Sequence, residues 1–283
     1  MTRPSHEPAA SILYQVPIAQ LEAYRGRDLI VRSTDASAIA SQLGADDLAN
    51  LAYVQLTSLR CDPDALVQWA PGLPIELLLD DPAVDFTALY RYAKLLDNHP
   101  VRVLLPITTG FEKAARLACS LQFAVKLNIG QPSAPMLEIL GRLLQDYLHR
   151  STITQPIEFF HSMLLGLCRQ EPISLWAIQE EDPALIRYLD DQGQERPPGR
   201  LAAAELGPDP AGFVERWSRE RVAEGAECSE CPFVATCRGY FKWPRRDYAC
   251  TGVKALLHTL RKAADELRGD LAALPPRAGA PSP

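Results

Sequence analysis

Residues 101–130 read VRVLLPITTGFEKAARLACSLQFAVKLNIG, an apolar β-rich run from Val101, a helix-like stretch, and a second β-rich run from Ala124. The same alternation extends outward in both directions. Upstream lie DLIVRS from Asp28, YVQLTS from Tyr53 and PIELLLDD from Pro74, and downstream lies PIEFF from Pro156. The runs begin 21 to 32 residues apart, the length of one β-plus-α unit. Between them, FTALYRYAKLLDNH and PMLEILGRLLQDYLHR carry apolar residues at three- and four-residue intervals, which predicts amphipathic helices. Apolar strands alternating with such helices predict an α/β fold with a parallel sheet covered on its outer face. Six units are fewer than the eight of a closed barrel, so residues 28–165 read as a partial (β/α)6 barrel, with a flat doubly wound sheet as the competing arrangement.

The pattern changes after Leu165. In ALIRYLDDQGQERPPGR, Asp-Gln-Gly between two possible strands suggests a hairpin turn, and DPAGFVERWSRERVAEG reads as a helix. Val253, Leu256, Leu257, Leu260, Ala264 and Leu267 make one apolar face of a last helix from Thr251 to about Asp270. The expected organisation is an N-terminal segment 1–27, the barrel 28–165, a small second domain 166–270, and a tail 271–283 too rich in Pro, Gly and Ala to order itself.

The 283-residue chain has 23% charged residues, 47% apolar residues and a net charge of -6, so nothing draws it as a whole toward nucleic acid or an anionic membrane. The start MTRPSHEPAASILYQVPIAQ lacks a basic-then-apolar leader, and eighteen apolar residues never occur in succession. A cytoplasmic location is expected. In such a compartment seven cysteines are metal ligands or small buried residues rather than a disulfide framework.

Four of the seven fall within 23 residues, in ECSECPFVATCRGYFKWPRRDYAC, spaced C-x2-C-x5-C-x12-C: Cys228, Cys231, Cys237 and Cys250. Thiolates are the soft anionic ligands iron-sulfur clusters need, and a C-x2-C turn lets two of them reach neighbouring irons. Structural zinc is the rival occupant, but four-cysteine zinc sites usually have two short knuckles, and here there is one. The spacing therefore points to one [4Fe-4S] cluster. Arg238, Lys242, Arg245 and Arg246 lie in the ligand span, where cations would favour cluster reduction, and Tyr240, Phe241 and Trp243 would shield the cluster or form a small core. Cys61, Cys119 and Cys168 sit among apolar neighbours and read as buried small residues.

On these residues the chain resembles the radical SAM/SPASM peptide maturases, which join a partial (β/α)6 barrel to a cysteine-rich C-terminal domain. The four cysteines match the ligands of that family's second auxiliary cluster, and CTGVKALL resembles the helix after its last ligand. Phe241 stands where a further cysteine is expected four residues after Cys237, and no upstream G-x4-C pair precedes the motif, so the resemblance implies one auxiliary cluster rather than two. The C-x3-C-x2-C motif that cleaves S-adenosylmethionine is missing. The loop after DLIVRS has no cysteine, and the loop after YVQLTS has Cys61 with Ala65 and Gln68 in place of the other two ligands. The resemblance therefore implies a degenerate member that does not use SAM. Its expected partners are a radical SAM enzyme or a precursor peptide, and its role is substrate binding, docking or electron transfer.

Two other readings remain open: a non-radical enzyme using the barrel mouth with a structural cluster, and a zinc-stabilised interaction module. RecB-like nucleases share C-x2-C-x5-C, but their fourth cysteine lies far upstream and no D…E-x-K cluster for Mg²⁺ is found here. Thr57, Ser58, Asp80, Asp81, Thr108, Thr109, Asn128 and His161 fall at strand ends, the face where parallel barrels bind ligands. His161 is the candidate base there, and Asp80, Asp81 and Asp85 are a candidate hard-cation group.

Overall fold

The computed structural model describes residues 12–225 and 227–273. Its centre is one eight-stranded sheet, ordered β6-β5-β4-β3-β2-β1-β7-β8. The strands are β1 (Leu13–Pro17), β2 (Leu29–Ser33), β3 (Leu51–Leu56), β4 (Ile75–Leu78), β5 (Val101–Pro106), β6 (Ala124–Asn128), β7 (Ile186–Leu189) and β8 (Glu195–Arg196). All neighbours are parallel except β7 and β8. The α/β class expected from the sequence therefore holds. Order follows sequence without reversal from β1 to β6, so no topological switch point occurs in that stretch.

The sheet extends past both ends of residues 28–165. β1 precedes that range, and β7 and β8 follow it, with β7 paired to β1 through Leu13↔Ile186, Tyr14↔Arg187 and Gln15↔Tyr188. The expected divisions at residues 28 and 166 thus do not divide the sheet. The Asp-Gln-Gly hairpin is present between β7 and β8, with Gly193 at φ 75°. PIEFF, expected as a sixth barrel strand, contributes a single parallel bridge, Ile157 to Val125, before the chain enters a helix at Phe160.

Helices α1 (Ala36–Gln42), α2 (Phe111–Ser120), α3 (Ala134–His149), α4 (Phe160–Arg169), α5 (Leu175–Ile178), α6 (Phe213–Ala223) and α7 (Thr251–Ala273) are joined by shorter helical turns. The FTALYRYAKLLDNH stretch is such a series of turns rather than one helix. One sheet face is apolar: Val31, Val54, Leu56, Leu77, Val103, Leu105, Val125 and Leu127 share a continuous core with Ile39, Ala114, Leu140 and Leu144 of the covering helices. The final helix, α7, packs on α3 and α4 with Val253, Leu256, Leu257, Leu260 and Ala264 buried. Among the described residues, no helix is long and apolar enough to cross a membrane. The tail expected to be unordered lies outside the described residues from position 274 onward, whereas 271–273 belong to α7.

The other sheet face is polar over β3 to β6 and carries a small apolar cluster of Leu13, Ile30, Tyr53 and Ile186 toward β7. Parallel register aligns Gln55 with Glu76, Glu76 with Arg102, and Leu104 with Lys126, so Tyr53, Gln55, Glu76, Arg102 and Lys126 project from one side of four consecutive strands. The segment leading into β7 runs across this side: Gln179 accepts a hydrogen bond from the Ile129 amide (3.1 Å) just past the end of β6, and Glu180 meets Lys126 and Tyr53.

Candidate metal centre

The loop that carries the cysteines docks beyond the C-terminal end of β6. Gln131 Nε2 donates to the carbonyls of Phe241 and Arg245, both at 2.9 Å, and Tyr248 Oη donates to the Pro132 carbonyl at 2.7 Å. Local turns present the thiols. The Cys231 amide bonds back to the Cys228 carbonyl (3.3 Å), and the Cys237 amide closes a short helix on Phe233 (2.7 Å). Arg238 and Gly239 then reverse the chain at φ 48° and 72°. Cys250 sits immediately before α7, its carbonyl accepting the first helical bond from Lys254 (2.8 Å).

All four thiols lie on the wall of one small cavity, closed by Phe233, Val234, Phe241, Val253 and Leu257 and edged by Glu227, Lys242 and Lys254. Burial pushes the Cys237 thiol up to about 11 and the Cys250 thiol up to about 12, and raises Cys228 as well. The thiols also act on one another, since Cys228 and Cys231 raise Cys237, and Cys237 and Cys228 raise Cys250. Lys242 works in the opposite sense on Cys228 and Cys250, and the amides of Phe241 and Tyr240 do so on Cys237. Among the described residues, no three His, Cys, Asp or Glu side chains are drawn together as ligands of one metal ion. The donor set nonetheless fits a cluster, being four thiols around one apolar-walled space, with the amides of Phe241 and Tyr240 at Cys237 and the charges of Lys242 and Lys254 at the edge.

Lys242 is the one residue of Arg238, Lys242, Arg245 and Arg246 that reaches the cavity wall. It is buried and donates to Glu227 Oε2 at 2.8 Å, while Lys254 meets Glu227 Oε1 at 2.9 Å. Although burial opposes the charge, these lysines and the Cys250 amide hold the Glu227 carboxyl down near about 2. Arg238 faces Glu215, Arg246 pairs with Glu224, and Arg245 bonds Gln131. Glu227 and Lys254 were not singled out in the sequence. Their signal was adjacency, as one precedes the first cysteine and the other lies one helical turn after the last.

Phe241 seals the cavity, whereas Tyr240 and Trp243 belong to an aromatic core with Trp176, Phe213 and Trp217, at centroid separations of 5.1–6.3 Å. Gly239 fits this core because Trp217 Nε1 donates to its carbonyl (2.9 Å), and an added Cβ would stand 2.8 Å from that same nitrogen. Gly239→Ala is expected to cost about 2 kcal/mol, from left-handed backbone plus overpacking, read as a lower urea midpoint.

The remaining candidates are dispersed. Thr57, Ser58, Asp80 and Asp85 share a hollow of about 250 Å³ with Arg60. Asp81 caps its own turn by accepting from the Ala83 amide (3.0 Å), Thr108 closes the turn before α2 through its carbonyl, Thr109 lies in that turn, and Asn128 is exposed at the end of β6. His161 is exposed on α4, with Nδ1 3.0 Å from Tyr147 Oη, on the wall of a different hollow. Cys119 is fully within the core, while Cys61 and Cys168 are half-buried.

A second constellation was missed in the sequence, although one polar residue inside each of four successive strands is its signature. On the polar sheet face, Glu180 Oε2 receives Lys126 Nζ (2.6 Å) and Tyr53 Oη (2.7 Å), and its Oε1 meets Arg102 (3.2 Å). Glu76 holds Arg102 (2.6 Å) and accepts from Gln55 Nε2 (2.6 Å), and Gln55 accepts from Gln15 (2.9 Å). Burial opposes ionisation of Glu180, but Lys126, Arg102 and Tyr53 together bring its carboxyl down to about 2. A carboxyl depressed on folding stabilises above its unfolded pKa of about 4.3 and loses that contribution as pH falls through the folded value. Urea stability should therefore decline between about pH 4.5 and 2, and Glu180→Gln should flatten that part of the profile.

Comparison with models of known protein families, with curated proteins and with solved structures gives no match.

Proposed function

We propose that this chain is a degenerate radical SAM-like protein: a partial barrel in which β1 to β6 supply the six strands and β7 and β8 extend the sheet, with a SPASM-like C-terminal region holding one [4Fe-4S] cluster through Cys228, Cys231, Cys237 and Cys250. The observation that carries this reading is the convergence of all four motif cysteines on one apolar-walled cavity at the C-terminal end of β6. Bound there, a cluster ligated by four thiolates supplies one-electron transfer or a structural clamp, without an open iron for substrate. Lys242 and Lys254 would offset its negative charge, and Phe233, Phe241 and Leu257 would keep water from it.

The surroundings of the cysteine cavity support an accessory role. The polar sheet face is crossed by the chain's own residues 179–180. Glu181, the next residue, pairs with Arg200 (3.1 Å), which donates to the Trp243 carbonyl (2.6 Å) in the cysteine loop. The cluster loop is thus tied to the sheet interior, which suits docking, peptide binding or electron delivery to a partner radical SAM enzyme in peptide maturation. Incubation with SAM and dithionite should yield no 5′-deoxyadenosine above a protein-free control by chromatography. Its catalytic formation would overturn the degenerate reading. A small peptide gene beside an intact radical SAM gene is the genomic setting this role expects.

A further inference from the structure

We propose that Lys126, Tyr53 and Arg102 form a carboxylate-binding site that the chain's own Glu180 occupies, and that a carboxylate ligand entering through the adjacent hollow takes Glu180's place. The inference stands apart from the cluster, on different residues and a different face.

The donors and the acceptor differ in how they are held. Lys126, Tyr53 and Arg102 project from β6, β3 and β5, three strands of one sheet, so their positions are set before any anion arrives. Lys126 is 5% exposed, and its ion-pair partner is Glu180 at 2.6 Å. Glu180 instead lies in the turn that follows the single turn of α5, with a φ of 55°, a left-handed conformation that disfavours a non-glycine residue. Its side chain keeps 28% of its exposure. A rigid, three-donor anion cradle is therefore filled by a strained, partly exposed acceptor.

Access and charge support exchange. A hollow of about 530 Å³ opens among the N-terminal ends of β3, β4, β5 and β6, and Tyr53, Glu76 and Arg102 form part of its wall beside Pro74, Pro100 and Pro156. The charged groups facing the cradle are Lys126, Arg102, Glu76, Glu180 and, through its effect on Arg102, Glu158. Glu76 and Glu158 lie toward Arg102, so withdrawal of Glu180 leaves the buried ammonium of Lys126 without its counter-charge. A carboxylate restores that charge and can accept from Lys126, Tyr53 and Arg102 together, whereas chloride offers a single acceptor centre. The ligand class is accordingly a small carboxylic acid or the free C-terminus of a short peptide.

The test compares acetate, succinate, a tetrapeptide with a free C-terminus and its C-terminal amide, all in the full-length protein at matched chloride ionic strength, by calorimetry and thermal unfolding. Glu180→Ala should bind carboxylates about tenfold or more tightly than the wild type, because it need not displace the internal acceptor. The amide should not bind, and adding Lys126→Met to Glu180→Ala should abolish binding. The stronger of acetate, succinate and the acid peptide identifies the source. In the wild type, saturating carboxylate should speed hydrogen exchange across residues 175–186 as Glu180 leaves. If Glu180→Ala does not fold, Glu180→Gln, which keeps the shape without the charge, carries the same comparison. Equal carboxylate binding by wild type and variant, binding that survives Lys126→Met, or unchanged exchange across 175–186 would each overturn the proposal.

Discussion

Anaerobically reconstituted protein should contain about four irons and four sulfides per chain, and Cys237→Ser or Cys250→Ser should lower iron to below about one. The effect is large because the cavity offers four thiols and the cluster uses all of them. A serine hydroxyl is a harder and far less acidic donor, so it is a poor replacement for a thiolate at this apolar-walled site. Cys61→Ser and Cys168→Ser supply the controls and should retain full iron, since neither residue reaches that cavity. Iron and sulfide analysis with EPR of the dithionite-reduced protein reads the result. Zinc without iron would instead establish the zinc-stabilised module, and iron retained by both serine variants would remove these residues from the ligand set.

Glu76→Ala should destabilise the protein by about 3–5 kcal/mol, a large share of the 5–15 kcal/mol that usually separates folded from unfolded chains. Glu76 is 1% exposed and serves two partners, Arg102 and the Gln55 amide. Its removal strands Gln55 and half of the compensation of Arg102 inside the molecule, where the desolvation cost has already been incurred. Glu76→Leu combined with Arg102→Leu should recover much of the loss, because the paired charges are replaced by packing. Urea unfolding of the single and double variants measures both. A cost for Glu76→Ala under about 1 kcal/mol would mean that water reaches the pair.

These two predictions rest on features that differed in how visible they were in the sequence. Cys228, Cys231 and Cys237 are close in sequence, so their clustering is legible there, and they line one cavity with Cys250. β5 and β6 were legible for a similar reason, each being a near-continuous apolar run bounded by Gly or Thr turns. The polar face was overlooked because attention to apolar runs treats Gln55, Glu76, Arg102 and Lys126 as interruptions, although their common register makes them a surface. PIEFF has strand-like composition, but Phe159 turns at φ 28° and Phe160 opens α4, so tertiary packing prevails over propensity there. β1 and the place of β7 beside it are illegible for a different reason, although IRYL itself reads as one strand of the Asp-Gln-Gly hairpin. LYQVP is followed directly by a helical turn rather than a full crossover helix, and IRYL finds its place only beside a strand far back in the chain.

That last pairing has a kinetic meaning. β1 lies inside the sheet, yet one of its edges stays open until Ile186 has been synthesised and Leu13 can pair with it. The strands between them can assemble locally, each beside its predecessor, while this long-range closure carries the largest loop entropy of any strand pairing in the sheet. During synthesis the nascent chain therefore displays an unpaired parallel edge for most of its length, the interval in which a chaperone has most to protect.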